Sequence, residues 1–327
     1  MKKRRRLIVL LTVAVAVALT TVSFIVSPVP ASRIMRKLFE KPKLAPPFGY
    51  AEMELAVTVE ADIVYPSANG DNTLDLYRLR DESASAPVII WVHGGAYVGG
   101  DKSDVRLYAT ALASEGYAVI AMNYERAPEA RYPVPITQLG EVTAWVEENA
   151  DRYKLDTSRI VLAGDSAGAH TAATFALIQT NPEYAQKIGI KPTLNAERLR
   201  GLLLYCGPYD VDAMDKIGGV FGFMLGRAGW AYFGVRDWTM QHTELATIKN
   251  HVTAAFPPTL ITDGNTASFE LHGRELAAAL EVESVPVETY FIPLEAEKTM
   301  HEYQFQMNTP AGTESYRRTL AFLSELR

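Results

Sequence analysis

SRIVLAGDSAGAH, residues 158–170, decides the fold: an apolar strand runs into a glycine-bounded turn and then into an alanine-rich helix. The turn has the pattern Gly-x-Ser-x-Gly, with Ser166 at its centre. A serine hydroxyl is a poor nucleophile at neutral pH and must stand exposed beside a base. A sharp strand-to-helix turn exposes it, and the flanking glycines relieve the crowding of that turn. We therefore predict that Ser166 is a nucleophile; the alternative is a glycine-bounded turn without chemistry.

A second glycine-rich stretch, VIIWVHGGAYVGG at 88–100, places His-Gly-Gly directly after a strand and upstream of the serine. Acyl transfer builds negative charge on a carbonyl oxygen, which preorganised backbone N–H groups stabilise. Glycines let the backbone approach a substrate closely. The predicted oxyanion hole comprises Gly94, Gly95, Ala96 and Ala167. Its donors are expected to be the N–H groups of Ala167 and of Gly95 or Ala96. A phosphate-binding loop is disfavoured, because neither Lys-Ser/Thr nor GxGxxG is present.

Three segments also carry a family resemblance: HGGAYVGG at 93–100, NYERAPEARYP at 123–133 and GDSAG at 164–168. Together they look like the signatures of hormone-sensitive-lipase-like esterases and their feruloyl/acetyl-esterase-like relatives. The resemblance covers residues 57–327. It implies the α/β-hydrolase fold and hydrolysis of small or short-chain esters without a cofactor or a metal. Ala96 and Arg126 depart from the pattern, standing in place of a glycine and a leucine. A serine peptidase of the same fold is an alternative, although such enzymes normally carry a further domain.

The chain has six histidines, and only His301 fits the general base. It lies in a loop between the last predicted strand and the final helix, which completes the order Ser…acid…His. We expect His93 to fix the glycine loop and His170 to face the packing side of its helix. The remaining three are expected to be solvated: His242, His251 and His272.

Two aspartates compete for the acid that orients the base and stabilises the imidazolium. Asp263 ends the predicted strand PPTLIT at 257–262, and Asp210 follows the preceding strand. When the family's segment is aligned without gaps, the slot of its usual acid falls on Ala267, which has no carboxylate. We favour Asp263 over Asp210. A membrane-tethered inactive homologue used for binding is the alternative that Ala267 leaves open.

The composition excludes several classes of function. The 327 residues, 48% of them apolar, suffice for one large domain. A formal net charge of −6 leaves no basic surface of the kind that nucleic acid needs. Cys206 is the single cysteine, so neither an intramolecular disulfide nor a multi-cysteine zinc site can form.

Short apolar runs alternate with longer helix-like segments, which predicts a mostly parallel sheet flanked by helices. The predicted strands are 57–65, 74–79, 88–92, 118–123, 160–163, 201–206, 259–262 and 287–292. The predicted helices are 106–115, 136–148, 167–179, 268–280 and 313–325. The turn ANGDN at 68–72 suits a hairpin, so the sheet should begin with antiparallel strands.

The N-terminus begins MKKRRR and continues with twenty uncharged, mostly apolar residues, 7–26. Spanning a bilayer takes about 20 residues, whereas the apolar part of a signal peptide has ~7–15. We therefore predict a membrane anchor at 1–26 over a cleaved signal. The basic cluster predicts a cytoplasmic N-terminus and a catalytic domain outside the cytoplasm. Secretion after cleavage near Ala31 is the alternative. Residues 27–50 are predicted to be a stalk, and 51–327 the catalytic domain.

Residues 218–234, GGVFGFMLGRAGWAYFG, are rich in glycine and aromatic residues. They lie between two predicted strands, so they can fold over the edge where open α/β sheets bind ligands. We predict a cap segment within 211–250. Its predicted contribution to the substrate pocket is Trp230, Tyr232 and Phe233. A buried helical hairpin, or a surface patch for a partner or the membrane, is the alternative.

Overall fold

The computed structural model describes residues 2–40, 44–80, 84–211, 214, 218–236 and 243–326. The strands are β1 (Val57–Val64), β2 (Thr73–Leu79), β3 (Ala86–Val92), β4 (Ala118–Met122), β5 (Leu155–Asp165), β6 (Leu199–Tyr205), β7 (Thr259–Asp263) and β8 (Val287–Phe291). The helices are α1 (Lys2–Val26), α2 (Val29–Leu38), α3 (Tyr50–Ala56), α4 (Arg106–Ser114), α5 (Val134–Glu148), α6 (Ala150–Tyr153), α7 (Ala167–Thr180), α8 (Pro182–Ile188), α9 (Gly219–Phe233), α10 (Glu270–Val282) and α11 (Pro310–Glu325).

The strands form one eight-stranded sheet in the order β1-β2-β4-β3-β5-β6-β7-β8. β1 pairs antiparallel with β2, and β2 antiparallel with β4. The remaining neighbours are parallel. The predicted mostly parallel sheet with an antiparallel start is confirmed, and each predicted strand and helix is present within a few residues.

Alternate residues of the central strands enter two separate cores, one on each face of the sheet. Along β3, Val88, Ile90 and Val92 pack into one core, whereas Ile89 and Trp91 pack into the other. Successive side chains of a strand point to opposite faces, so a strand covered on both faces must be apolar throughout. Helices α5 and α7 cover the first face, and α4 and α11 cover the second.

The segment after α1 differs from the predicted stalk. Residues 29–38 form helix α2, which begins with Pro30 in its first turn, a position where proline favours helix formation. Met35 on this helix is buried against α9 and the glycine loop. Arg36 donates from Nε to the carbonyl of Val98 at 2.7 Å and pairs with Glu129 at 2.6 Å. Because these contacts hold α2 on the globular part, it forms one wall of the site described below.

Most of the predicted cap segment lies within the described residues. Its central element is α9, which packs against α2. Residues 212–213, 215–217 and 237–242 of that segment lie outside the described part of the chain. As far as it is described, the segment 211–250 consists of α9 and two short turns at 244–250, and the N-terminal helix α2 packs against α9.

Candidate active site

Ser166 lies at the end of β5 in a backbone conformation that few residues adopt, with φ 52° and ψ −120°. Such a conformation is held only when its surroundings enforce it. Here Gly164 and Gly168 make the turn feasible, because a Cβ atom on Gly168 would lie 1.9 Å from the carbonyl oxygen of Val92. On Gly164 it would lie 2.5 Å from the Gly168 backbone. The two glycines therefore allow the strand, the turn and α7 to pack at contact distance, as the sequence pattern predicts.

His301 stands beside this serine. Its Nε2 lies 2.9 Å from Oγ of Ser166, within hydrogen-bond range. Its other ring nitrogen, Nδ1, lies 2.8 Å from Oγ of Ser268, and the Ser268 hydroxyl in turn donates to Oδ1 of Asp263. The four side chains form a chain of hydrogen bonds in which Ser268 stands between the imidazole and the carboxylate. Sequence reasoning missed Ser268.

Burial sets the charge states of Asp263 and His301 in this series of hydrogen bonds. It raises the pKa of the Asp263 carboxyl to about 7, although hydrogen bonds from Ser268 and from the Phe269 amide oppose that rise. Burial lowers the pKa of His301 to about 4. The imidazole is therefore neutral at pH 7, which is the state that can accept a proton from a serine hydroxyl.

The second candidate acid, Asp210, takes part in a different network. Its Oδ2 lies 2.5 Å from Nζ of Lys249, which also pairs with Glu275. Its backbone N–H donates to Nδ1 of His272 at 3.2 Å. The prediction that His272 is solvated is wrong, because this side chain is buried beside Phe269.

Two other histidines adopt the environments that the sequence indicated. Nδ1 of His93 lies 2.7 Å from the carbonyl oxygen of Gly94, and the imidazole ring stacks on Tyr124. These two contacts hold the glycine loop in place. His170 is fully buried and contacts the carbonyl of Ala246 through Nε2 at 2.8 Å. His251 is half-buried, and His242 lies outside the described residues.

The glycine loop after β3 lies next to the serine turn. Gly95 has φ 110°, and a Cβ atom there would lie 2.3 Å from the Gly99 carbonyl oxygen, so the tight turn requires glycine. Gly94, Gly95 and Ala96 line the same cavity as Ser166. The N–H of Gly94 donates to Oδ2 of Asp165 at 2.7 Å and so is engaged within the protein. Among the predicted oxyanion residues, this leaves Gly95, Ala96 and Ala167 as donor candidates.

Asp165, the variable residue before the serine, joins the two loops. Its Oδ2 accepts from Gly94, and its Oδ1 accepts from Nε1 of Trp91 at 2.7 Å. The Ser166 turn and the glycine loop after β3 are thereby fixed to each other by one buried carboxylate. The motif Gly-x-Ser-x-Gly gave no signal for this role, because its second position is unspecified.

Glu302 supplies a second carboxyl group beside Asp165 in the lining of the cavity at Ser166. It has φ 58°, its Oε1 lies 3.7 Å from Nε2 of His301, and its side chain hydrogen-bonds to Asp165. Burial and the neighbouring Asp165 charge raise the pKa of Glu302 well above its usual range. Because Asp165 already accepts two hydrogen bonds, we assign the shared proton to Glu302.

Two cavities meet at Ser166. The larger has a volume of about 230 Å³ and is lined by His301, Glu302 and a set of apolar side chains. The apolar lining is Met35, Leu38, Phe39, Met224, Leu225, Phe269 and Phe305. The smaller has a volume of about 20 Å³ and lies between Ala167, Pro208 and Ala228. The α9 helix contributes side chains to both cavities.

The three aromatic residues predicted to line the pocket do not line either cavity. Tyr232 is fully buried and stacks on Tyr97 with ring centroids 3.9 Å apart. Phe233 packs on Tyr132, and Trp230 lies beside two arginine side chains. The prediction chose the largest rings, but the face of α9 toward Ser166 carries the smaller and more flexible side chains one or two turns earlier.

Among the described residues, one group could hold a metal ion: Cys206, Asp263 and His301, whose ligand atoms lie within 4.8 Å of one another. Both ring nitrogens of His301 already contact serine hydroxyls. The donor set is therefore already engaged in the hydrogen-bond chain described above.

Comparison with known proteins identifies the family of this chain. The BD-FAE family profile matches residues 74–269. Esterase LipC of Mycobacterium tuberculosis is 35% identical over 118 residues, which are 35% of this chain and 29% of LipC. The acetyl esterase of Salmonella paratyphi B is 35% identical over 116 residues, 35% of each protein. The chain thus spans about a third of the length of these curated relatives.

Solved structures share the fold over nearly the whole chain. Esterase B from Lactobacillus rhamnosis superposes with a TM-score of 0.73 at 23% identity, covering 97% of this chain and 94% of that one. A bacterial heroin esterase superposes with a TM-score of 0.66 at 19% identity, covering 91% and 98%. The α/β-hydrolase fold is confirmed, and with the profile match over more than half of its length the chain belongs to the BD-FAE family of α/β-hydrolases.

Proposed function

We propose that this chain is a carboxylic-ester hydrolase that acts on small or short-chain esters through Ser166, His301 and Asp263. The observation that carries the proposal is the 2.9 Å contact between Nε2 of His301 and Oγ of Ser166, at the meeting point of two cavities. The names of the curated relatives, which include esterases and acetyl esterases, support the same reaction.

In the proposed mechanism, Oγ of Ser166 attacks the ester carbonyl while Nε2 of His301 takes the hydroxyl proton. The N–H groups of Ala167 and of Gly95 or Ala96 stabilise the oxyanion. His301 then returns the proton to the leaving alkoxide, which departs as the alcohol. Water attacks the acyl-enzyme with the same base, and the acid is released. Asp263 assists by holding the Ser268 hydroxyl, which orients the imidazole through Nδ1.

The position of His301 assigns the two cavities to the two halves of an ester. The base must protonate the leaving alkoxide, so the alcohol occupies the larger cavity, which His301 lines. The acyl group then enters the smaller cavity, whose volume of about 20 Å³ is close to that needed for a single water molecule. This asymmetry favours acetyl and similarly short acyl groups.

The N-terminal helix supports membrane attachment. α1 is apolar from Leu7 to Val26, and none of its apolar stretch is buried in the protein. Such a helix is consistent with an anchor or with a signal sequence. We favour an anchor with residues 51–327 and α2 outside the cytoplasm, because Ala31 and Ser32, where cleavage would fall, are buried within α2. Secretion after cleavage is the alternative.

The proposal is tested by comparing p-nitrophenyl acetate with p-nitrophenyl octanoate, using the full chain in detergent beside its Ser166→Ala variant. Wild type should hydrolyse the acetate with the higher kcat/KM, and Ser166→Ala should lose at least about 10⁴-fold in kcat. Equal heat stability of the two proteins shows that the variant is folded. Turnover that survives the substitution would show that Ser166 is not the nucleophile, and no turnover of any ester would favour the inactive homologue.

A further inference from the structure

The apolar helix α1 is tied directly to the cap over the site. Arg227 on α9 donates from Nη1 to the carbonyl oxygen of Phe24, in the last turn of α1, at 2.8 Å. The same guanidinium lies over the ring of Phe223, 5.2 Å from its centroid. The C-terminal end of α1 is therefore next to α9, and Phe223 lies beside both.

The length of α1 places that end at a bilayer surface. Twenty apolar residues in a helix extend about 30 Å, which equals the thickness of the hydrocarbon core. If α1 spans a bilayer, Val26 lies at the interface between hydrocarbon and headgroups. Helix α2 begins only three residues later, at Val29, and extends about 15 Å. The whole of α2 is consequently within a short distance of the headgroups.

Helix α2 has one face buried against the protein and one face exposed. Ala31, Ser32 and Met35 are buried. On the other face, Ile34 is 51% exposed and Leu38 is 65% exposed, and Phe223 on α9 is 57% exposed nearby. Exposed basic side chains flank them on α2, Arg33 and Lys37. Apolar side chains bordered by lysine and arginine are typical of helices that lie in the membrane interface.

The same surface borders the opening of the larger cavity. Leu38 belongs both to the exposed face of α2 and to the lining of that cavity, and Met224, next to Phe223, lines it as well. The lining there is apolar, and it leads to His301 and Ser166. An apolar group leaving the bilayer at this point would reach the alcohol side of the site without crossing bulk water.

We propose that the surface formed by Ile34, Leu38 and Phe223 rests on the bilayer, and that the substrate is a short-acyl ester of a long apolar alcohol dissolved in that bilayer. This inference rests on the proposed function, because it assigns a substrate class to the same serine. The long alcohol enters the larger cavity from the membrane, and the small acyl group occupies the 20 Å³ cavity. Hydrolysis releases a water-soluble acid and leaves the alcohol in the bilayer.

The test uses the full chain reconstituted in phosphatidylcholine vesicles with a minor fraction of phosphatidylglycerol. Two substrates are compared: dodecyl acetate, which partitions into the vesicles, and p-nitrophenyl acetate, which is soluble in water. The test variant is Ile34→Asp with Phe223→Asp, since neither side chain lines a cavity. The matched control is Val282→Asp. Val282 is an apolar residue, 82% exposed, at the C-terminal end of α10, and it belongs to neither α2 nor α9.

We expect the double variant to lose at least about tenfold on dodecyl acetate, because two carboxylates are repelled from an anionic, apolar interface. Its rate on p-nitrophenyl acetate should stay within about twofold of wild type, and Val282→Asp should match wild type on both substrates. The inference is overturned if the double variant keeps its rate on dodecyl acetate, or if it loses both activities equally. Wild type without serine-dependent turnover of p-nitrophenyl acetate would contradict the proposed function itself.

Discussion

The two nitrogen atoms of His301 face two differently built halves of the site. On the Nε2 side, the imidazole meets Ser166 directly, in the turn that the sequence motif specifies. On the Nδ1 side it meets Ser268, and the carboxylate of Asp263 stands one hydrogen bond further away. In the proposed mechanism, Ser166 therefore depends on its own backbone turn for its position, whereas Asp263 acts on the ring through the Ser268 hydroxyl.

The largest effect is expected from removal of the Asp263 carboxylate. Asp263→Asn should lower kcat by about 10³-fold, somewhat less than the roughly 10⁴-fold loss known for an acid that contacts its histidine directly. The Ser268 hydroxyl would remain to accept or donate at Nδ1, which softens the loss. The measurement is kcat on p-nitrophenyl acetate.

Asp210→Asn is the matched control for that substitution, since Asp210 pairs with Lys249 in a separate network. Its kcat should stay within about threefold of wild type, as expected for a change away from the reacting groups. A larger loss from Asp210→Asn than from Asp263→Asn would reverse the assignment of the acid.

A second effect is expected from protonation of the Asp263 carboxylate at lower pH. Burial raises the pKa of Asp263 to about 7, so it is protonated below that pH and no longer attracts the Ser268 proton. Activity should therefore fall as the pH drops through about 7, by up to tenfold per unit. Burial lowers the pKa of His301 to about 4, so the base itself is protonated only further down.

A pH profile of kcat/KM in wild type and in Asp263→Asn separates these two groups. The limb near pH 7 should disappear in the variant, whose residual activity should persist until His301 becomes protonated. If the limb stays at the same pH in both proteins, the titrating group is the histidine and not the aspartate.

The smallest effect is expected from placing a carboxylate at position 267. Ala267 occupies the aligned slot of the usual acid and has φ 47°, a conformation that aspartate tolerates. Adding Ala267→Asp to Asp263→Asn should recover about tenfold in kcat, because residue 267 directly precedes Ser268, whose hydroxyl contacts Nδ1 of His301. Ala267→Asn in the same background is the uncharged control. Recovery by both substitutions alike would show that charge is not what the slot supplies.

Much of the fold followed from the sequence because its signals are local. The eight strands are apolar runs bounded by turn residues. Gly95 and Gly164 are required by contacts within their own turns, whereas Gly94 and Gly168 lie against neighbouring loops. Two local patterns, Gly-x-Ser-x-Gly and the loop before the last helix, led to Ser166 and His301, whose side chains lie 2.9 Å apart in the structure.

The rest depended on tertiary contacts that no local pattern encodes. Ser268 is an ordinary polar residue until the loops after β7 and β8 bring it between Asp263 and His301. The basic, proline-punctuated sequence within 27–50 indicated a stalk, and only the buried face of residues 29–38 shows why that part packs as a helix. Among the aromatic residues of α9 that were prominent in the sequence, Tyr232 is fully buried, since a large ring stabilises an interior, whereas Trp230 and Phe233 are half-buried on other faces of the helix.

Helix α2 has a practical consequence for anyone who shortens this protein to obtain a soluble form. A chain that begins at Ser27 loses the apolar span and keeps the wall of the larger cavity. A chain that begins at Ala51, where the sequence suggested that the domain starts, also loses Met35, Leu38 and Phe39 and the bond from Arg36 to Val98 in the glycine loop. The first would have an enclosed pocket and the second an open trough, so the two would differ in which alcohols they accept.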